Sequence, residues 1–247
     1  MNITKLAISK KMFGGGGGDS SAAYNRGIAD GKRAEYNDFW DNYQENGNRK
    51  NYSNAFRVCW VNAIFKPKYD IKGNGAFNSA FAATSLDGDL VELLNLAGVS
   101  LDTSQATSLN SCFYGATKIT RIGTIDTRGT NDIDYLFDSA SSLKTVEKLI
   151  LKSDGSQNMN LFNRANALKN IVIEGTIGSS INLQWSPLSP ESIKSIISCL
   201  KNYAGTSEAY SYKLTLSVEC WAALEADSSA PDGGTWADYV DSLGWNC

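Results

Sequence analysis

The chain has 247 residues, 42% hydrophobic and 20% charged, with a net charge of −3 and no histidine. Without histidine there is no serine–histidine–acid triad, no cysteine–histidine pair and no His-containing metal site, which leaves acid–base chemistry to carboxylates, Lys, Tyr or Cys. The acidic balance gives no basic footprint for nucleic acid, and no run nears the ~18 consecutive apolar residues that would insert into a membrane.

In chain order, Met1 to Lys11 has lysines interrupting its apolar residues, so no signal-peptide core is expected. Residues 1–13 read as a short N-terminal segment. Gly14 to Gly18, followed by Asp19-Ser20-Ser21, reads as a glycine linker over 14–21. It lacks the lysine that a phosphate-binding loop requires. Residues 22–45 read as an amphipathic helix with Tyr24, Ile28, Phe39 and Tyr43 near one stripe. Gly27 and Gly31 are costly inside a helix unless close packing compensates. This helix either docks on the following domain or bundles with other copies of itself. Asn46-Gly47-Asn48 ends it, and 46–75 reads as an irregular N-terminal cap with scattered apolar anchors. Five cysteines (Cys59, Cys112, Cys199, Cys220, Cys247) form no C-x-x-C and read as free thiols.

An internal repeat is the main feature. Leu109, Phe113, Ile119, Ile122 and Ile125 recur 24 residues later as Ile133, Phe137, Leu143, Val146 and Leu149. Phe162, Leu168 and Ile171 follow after a further 25. Phe77 and Phe81 begin an earlier copy whose insert of about eight residues carries Leu90, Leu93, Leu94 and Leu96 at helical spacing. Each copy reads as a short helical turn with an apolar i,i+4 pair, followed by a short strand. Units this short bury their apolar faces by stacking, so residues 76–217 are expected to form an α/β leucine-rich-repeat solenoid.

Toward the C-terminus, Ser189-Pro190-Glu191 is an N-cap with Pro at the first helical position. It opens a helix that buries Ile193, Ile196, Ile197 and Leu200. Tyr212 to Leu216 reads as a final strand. Residues 218–247, with Trp221, Trp236 and Trp245, read as a C-terminal cap.

The segments Leu109-Asn110-Ser111-Cys112-Phe113 and Tyr135-Leu136-Phe137-Asp138-Ser139-Ala140-Ser141-Ser142-Leu143, with the Ile125-Asp126-Thr127 step, resemble the BspA-type leucine-rich repeats of bacterial surface proteins. The resemblance covers roughly residues 76–180. The pentaglycine tether, the Gly27/Gly31 helix and Phe65-Lys66-Pro67-Lys68-Tyr69-Asp70-Ile71 are similar to segments that precede such repeats in proteins of gut Firmicutes phages and prophages. That similarity implies a virion protein of the tail or baseplate.

Strand alternation points Arg121, Gly123, Thr145, Glu147, Asn170 and Val172 outward on the concave face as a candidate binding strip. A second candidate is aromatic: Trp185, Trp221, Trp236 and Trp245, which stack on sugars or pack a terminal cap. The expectation is a non-enzymatic binding module without cofactor or metal, contacting a host-surface protein or glycan. Further expected partners are phage structural proteins and a second copy through the 22–45 helix, with no nucleic acid and no membrane insertion. Two alternatives stand beside it. One is a cell-surface or secreted bacterial adhesin of BspA type. The other is a carbohydrate-active enzyme using two carboxylates from Asp126, Asp132, Asp134, Glu147 and Asp154.

Overall fold

The computed structural model describes residues 52–56, 65, 67 and 69–247. The expected N-terminal segment, glycine linker and amphipathic helix lie outside the described residues, as does Cys59. The described chain is a mixed α/β structure with parallel sheets. Its strands are β1 (Ile71–Lys72), β2 (Gly88–Asp89), β3 (Leu101–Asp102), β4 (Ile119–Asp126), β5 (Thr145–Ile150), β6 (Asn170–Glu174), β7 (Ile181–Asn182) and β8 (Leu214–Thr215). Its helices are α1 (Leu90–Ala97), α2 (Pro190–Ser198), α3 (Val218–Asp227) and α4 (Trp236–Ser242). The central sheet runs β2-β4-β5-β6, flanked by the pairs β1-β3 and β7-β8, and every pairing is parallel.

The 24-residue spacing becomes strand register. Arg121 pairs with Thr145 and Ile125 with Leu149, each 24 residues on, and Thr145 then pairs with Asn170, 25 on. Equivalent residues therefore lie side by side, and their apolar side chains fuse into one core. Its most regular part is a column of phenylalanines. Phe56, Phe81, Phe113, Phe137 and Phe162 stack at centroid separations of 4.5, 5.0, 5.7 and 5.5 Å with nearly parallel rings.

The segments that carry these rings are not helical, contrary to the sequence expectation. They are chains of tight turns in which every fourth residue is left-handed: Ser79 and Ala83, Ser111 and Gly115, Tyr135 and Ser139. Half of the amides close turns internally, as Ala80 N–H does to Phe77 O and Cys112 N–H to Leu109 O. The alternate amides donate to the next unit. Phe77, Ser79, Phe81 and Ala83 bond Ser108, Asn110, Cys112 and Tyr114 at 2.7–3.0 Å. A turn repeating every four residues buries the same i,i+4 pair as a helix, so apolar spacing alone cannot separate the two.

The same pattern is present ahead of residue 76. Tyr52 and Phe56 donate to Ala76 and Ala80, and Asn54 is left-handed, so residues 52–56 repeat the same turn pattern. The eight-residue insert is α1, capped by Asp89 at its start and by left-handed Gly98 at its end. It accounts for the 32-residue step from Phe81 to Phe113. Helix α2 begins as expected, with Ser189 as N-cap and Pro190 in its first turn, and it buries Ile193, Ile196 and Ile197. The final strand is shorter than expected, Leu214–Thr215 only.

Helix α2 packs on β6 and stands where another strand would be. Ser192 Oγ and Ser195 Oγ each accept an edge amide, from Ile171 and Ile173, at 2.9 Å. The sheet therefore ends against hydroxyl groups rather than against an exposed row of N–H groups.

Candidate functional site

The exposed face of the central sheet departs from simple alternation. Buried residues fall every third position on β4 (Ile119, Ile122, Ile125), and β5 repeats this with Val146 and Leu149. On β6 the spacing returns to two, Ile171 and Ile173, and the register shifts between Val146 and Leu149. Strands β4 and β5 thus each carry one extra residue, as in a β-bulge. The outward set becomes Arg121, Gly123 and Thr124 on β4, then Thr145, Glu147 and Lys148 on β5. Asn170, Val172 and Glu174 complete it on β6. Alternation found most of these. It missed Thr124 and Lys148 because one inserted residue flips the parity of every later position on its strand, whereas Glu174 simply continues the two-residue alternation of β6 past Val172.

The extra residue on β5 lets that strand pair in both directions. Glu147 reaches back to Arg121 on β4, and Lys148 reaches forward to Glu174 on β6 at 2.5 Å. Arg121 also holds Asp89 at 3.0 Å, beside the start of α1. The guanidinium is held above its usual range by its hydrogen bond to Glu147 and then by the one to Asp89. The result is a row of alternating charge, Asp89, Arg121, Glu147, Lys148, Glu174, across four strands. Beside it, Asn170 and Val172 are exposed, Val172 at 46%. Helix α1 leans over the β4 side, so that a Cβ on Gly123 would lie 3.3 Å from Val91 Cγ2. The open part of the strip is therefore on β5 and β6.

Of the four tryptophans, only Trp185 is placed for contact, at 57% exposed. Trp236 and Trp245 are buried, and their indole N–H groups donate to Ser228 O and Lys201 O at 2.7 Å each. Trp221 is half-buried against the core. Of the two roles the sequence leaves open for these aromatics, Trp236 and Trp245 take the packing one, and Trp221 is partly covered. The terminal cap has its own end to bury, and Trp fills volume while its N–H satisfies a stray carbonyl.

The carboxylates named for two-acid chemistry are each engaged within the protein. Asp126 is clasped by the Arg128 guanidinium, which holds its carboxyl below the usual range. Asp132 and Asp134 accept from Asn110 and Asn158 at 3.0 and 2.8 Å. Asp154 accepts the Ser156 amide, which lowers its pKa, and Glu147 holds Arg121. Among the described residues no group of three or more His, Cys, Asp or Glu is arranged to hold a metal ion. No described helix is long and apolar enough to cross a membrane. Cys112, Cys199, Cys220 and Cys247 are free thiols.

Comparison with protein-family models, with curated proteins and with solved structures returns no significant match to this chain.

Proposed function

We propose that the chain is a non-enzymatic binding module, a leucine-rich-repeat solenoid that presents the β5–β6 face to a host-surface protein or glycan as part of a phage tail or baseplate. One observation carries this reading. The apolar face of the central sheet is filled by the core, and its β6 edge is blocked by α2. Among the described residues, the polar face then remains as the part of the sheet open to a partner. The 24- and 25-residue registers support the solenoid, since stacked short units share one core and offer an extended surface. The resemblance to BspA-type repeats and to phage proteins with a glycine tether supports the setting. A tethered module displayed in several copies gains avidity from effective concentration rather than from new contacts.

The test is sedimentation of the labelled full chain with intact gut Firmicutes cells and with purified cell walls. The unmodified chain is expected to co-sediment. A Lys148→Glu/Val172→Asp variant is expected to bind about tenfold more weakly or worse, the cost of losing a central contact of about 1.4 kcal/mol or more. Equal binding by that variant would reject the strip. Release of reducing sugar during incubation, lost on substitution of one carboxylate, would favour the carbohydrate-active reading instead.

A further inference from the structure

A shallow groove of about 450 Å³ lies between the turn that follows β7 and the start of α3, lined by Asn166, Gln184, Trp185, Pro187, Ser217 and Glu219. None of its lining residues belongs to the strip on β4, β5 and β6. Its size falls within the ~300–1,000 Å³ of small-ligand clefts. Trp185 has the most exposed aromatic ring among the described residues.

The turn that carries Trp185 is fixed on both sides. Gln184 N–H donates to Asn182 Oδ1 at 3.1 Å. Ser186 is buried, its amide bonded to Leu183 O at 3.0 Å and its hydroxyl to Ala165 O at 3.1 Å. Cys220 Sγ ties α3 to Ser186 O at 3.3 Å beneath the groove. A ring on such a mount loses little freedom when a ligand covers it, which preserves binding energy.

The polar groups around the ring are available. The side-chain amides of Asn166 and Gln184 make no hydrogen bond among the described residues, whereas Asn110, Asn158 and Asn163 are each tied to an aspartate. The Glu219 carboxyl is held below its usual range by its own amide at the start of α3 and by the Ser217 hydroxyl, so it is ionised at neutral pH. Among the described residues no lysine or arginine lines the groove.

This combination selects a ligand class. A phosphate- or carboxylate-bearing ligand meets an anion with no compensating cation. A hydrophobic peptide side chain finds Pro187, Leu188 and Ala223 in the lining but leaves the Asn166, Gln184 and Glu219 groups without a partner. A pyranose ring offers a flat C–H face for the indole and hydroxyls for two amides and a carboxylate. We infer that this groove binds a neutral pyranose unit of a polysaccharide, stacked on Trp185 and hydrogen-bonded by Asn166, Gln184 and Glu219. This deepens the binding reading by naming a ligand class, and it rests on that reading only for its biological setting.

The test is titration of ¹⁵N-labelled full chain with neutral trisaccharides of glucose, mannose, galactose and N-acetylglucosamine, following indole N–H resonances. The Trp185 signal is the one missing from Trp185→Ala. At least one trisaccharide is expected to shift it. Trp185→Ala is expected to weaken that binding roughly ten- to thirtyfold, with Trp185→Phe in between. Thermal stability should be unchanged, because the ring is exposed. Absence of any shift across the panel, or equal affinity in Trp185→Ala, would overturn the inference. A shift produced by an anionic oligosaccharide or a peptide in place of the neutral sugars would overturn it equally. The Lys148→Glu/Val172→Asp variant leaves the groove intact, so saccharide binding by that variant separates failure of the strip from failure of the groove.

Discussion

The Ser192 hydroxyl accepts the backbone N–H of Ile171 at 2.9 Å, so a helix side chain completes the ladder of the last strand in the central sheet. The same hydroxyl lies 3.2 Å from Lys169 O. One turn further on, Ser195 serves Ile173 in the same way. Hydroxyl groups three apart on a helix share a face, and that face here matches the two-residue spacing of edge amides. Removing Ser192 leaves a buried N–H unpaired. Ser192→Ala should therefore cost about 1–3 kcal/mol in denaturant unfolding. The Ile171 amide should also lose hydrogen-exchange protection. Ser195→Ala should cost less, since that site is half-buried.

The phenylalanine column links successive turn units within the shared core. Phe113 is fully buried with Phe81 at 5.0 Å and Phe137 at 5.7 Å. Phe113→Ala is expected to cost about 3–5 kcal/mol, and Phe113→Leu distinctly less, since much of the volume remains. Chemical denaturation of both variants checks the order. A Phe113→Ala cost below that of Phe113→Leu would contradict the column's role.

Gly175 has φ of +99°, and a Cβ there would collide with the Leu151 carbonyl. Backbone strain and a clash with another chain segment act together, and neither relaxes by a side-chain rotation. Gly175→Ala should destabilise by more than about 1 kcal/mol. Gly205→Ala serves as the control. Its φ is also positive, +71°, but nothing lies within 4 Å of the added methyl, so it should cost less. Thermal melts of the two variants give the comparison.

Asp126 is buried and paired with Arg128, and its carboxyl is held below the usual range by that hydrogen bond. A carboxylate lowered on folding stabilises above its unfolded pKa of about 3.9 and loses that contribution as pH falls below it. The stability gap between the native chain and Asp126→Asn should therefore be constant from pH 7 to about 5 and shrink below about pH 4. Urea midpoints across that range are the measurement. A gap that widens on acidification would reverse the assigned sign.

Burial pushes the Cys112 thiol up to about 12. Its thiolate is the reactive form, so Cys112 should resist iodoacetamide at pH 8 in the folded chain and react once urea unfolds it. Cys247 is exposed, although partial burial raises its thiol too. Peptide mass mapping should find Cys247 alkylated before Cys112.

Much of the framework was legible in the sequence because its signals are local. The 24-residue spacing became strand register, since equivalent apolar residues must meet in one core. Ser189 and Pro190 marked the start of α2 because capping groups act within one turn. Arg121, Thr145, Glu147, Asn170 and Val172 lie together on the outward face of the central sheet, because strand alternation is a local signal. The features that only the tertiary structure decided depend on partners far along the chain. The Phe-bearing segments are turns rather than helix because alternate amides bond a unit some 24 residues away. Thr124 and Lys148 join the strip because β4 and β5 each carry one extra residue, which flips the parity of the positions after it. Trp236 and Trp245 go inside while Trp185 stays out, since only the assembled cap fixes which carbonyls need a donor. The serines of α2 have the composition of any polar helix face. Their use as an edge cap comes from where β6 ends, 21 and 22 residues earlier.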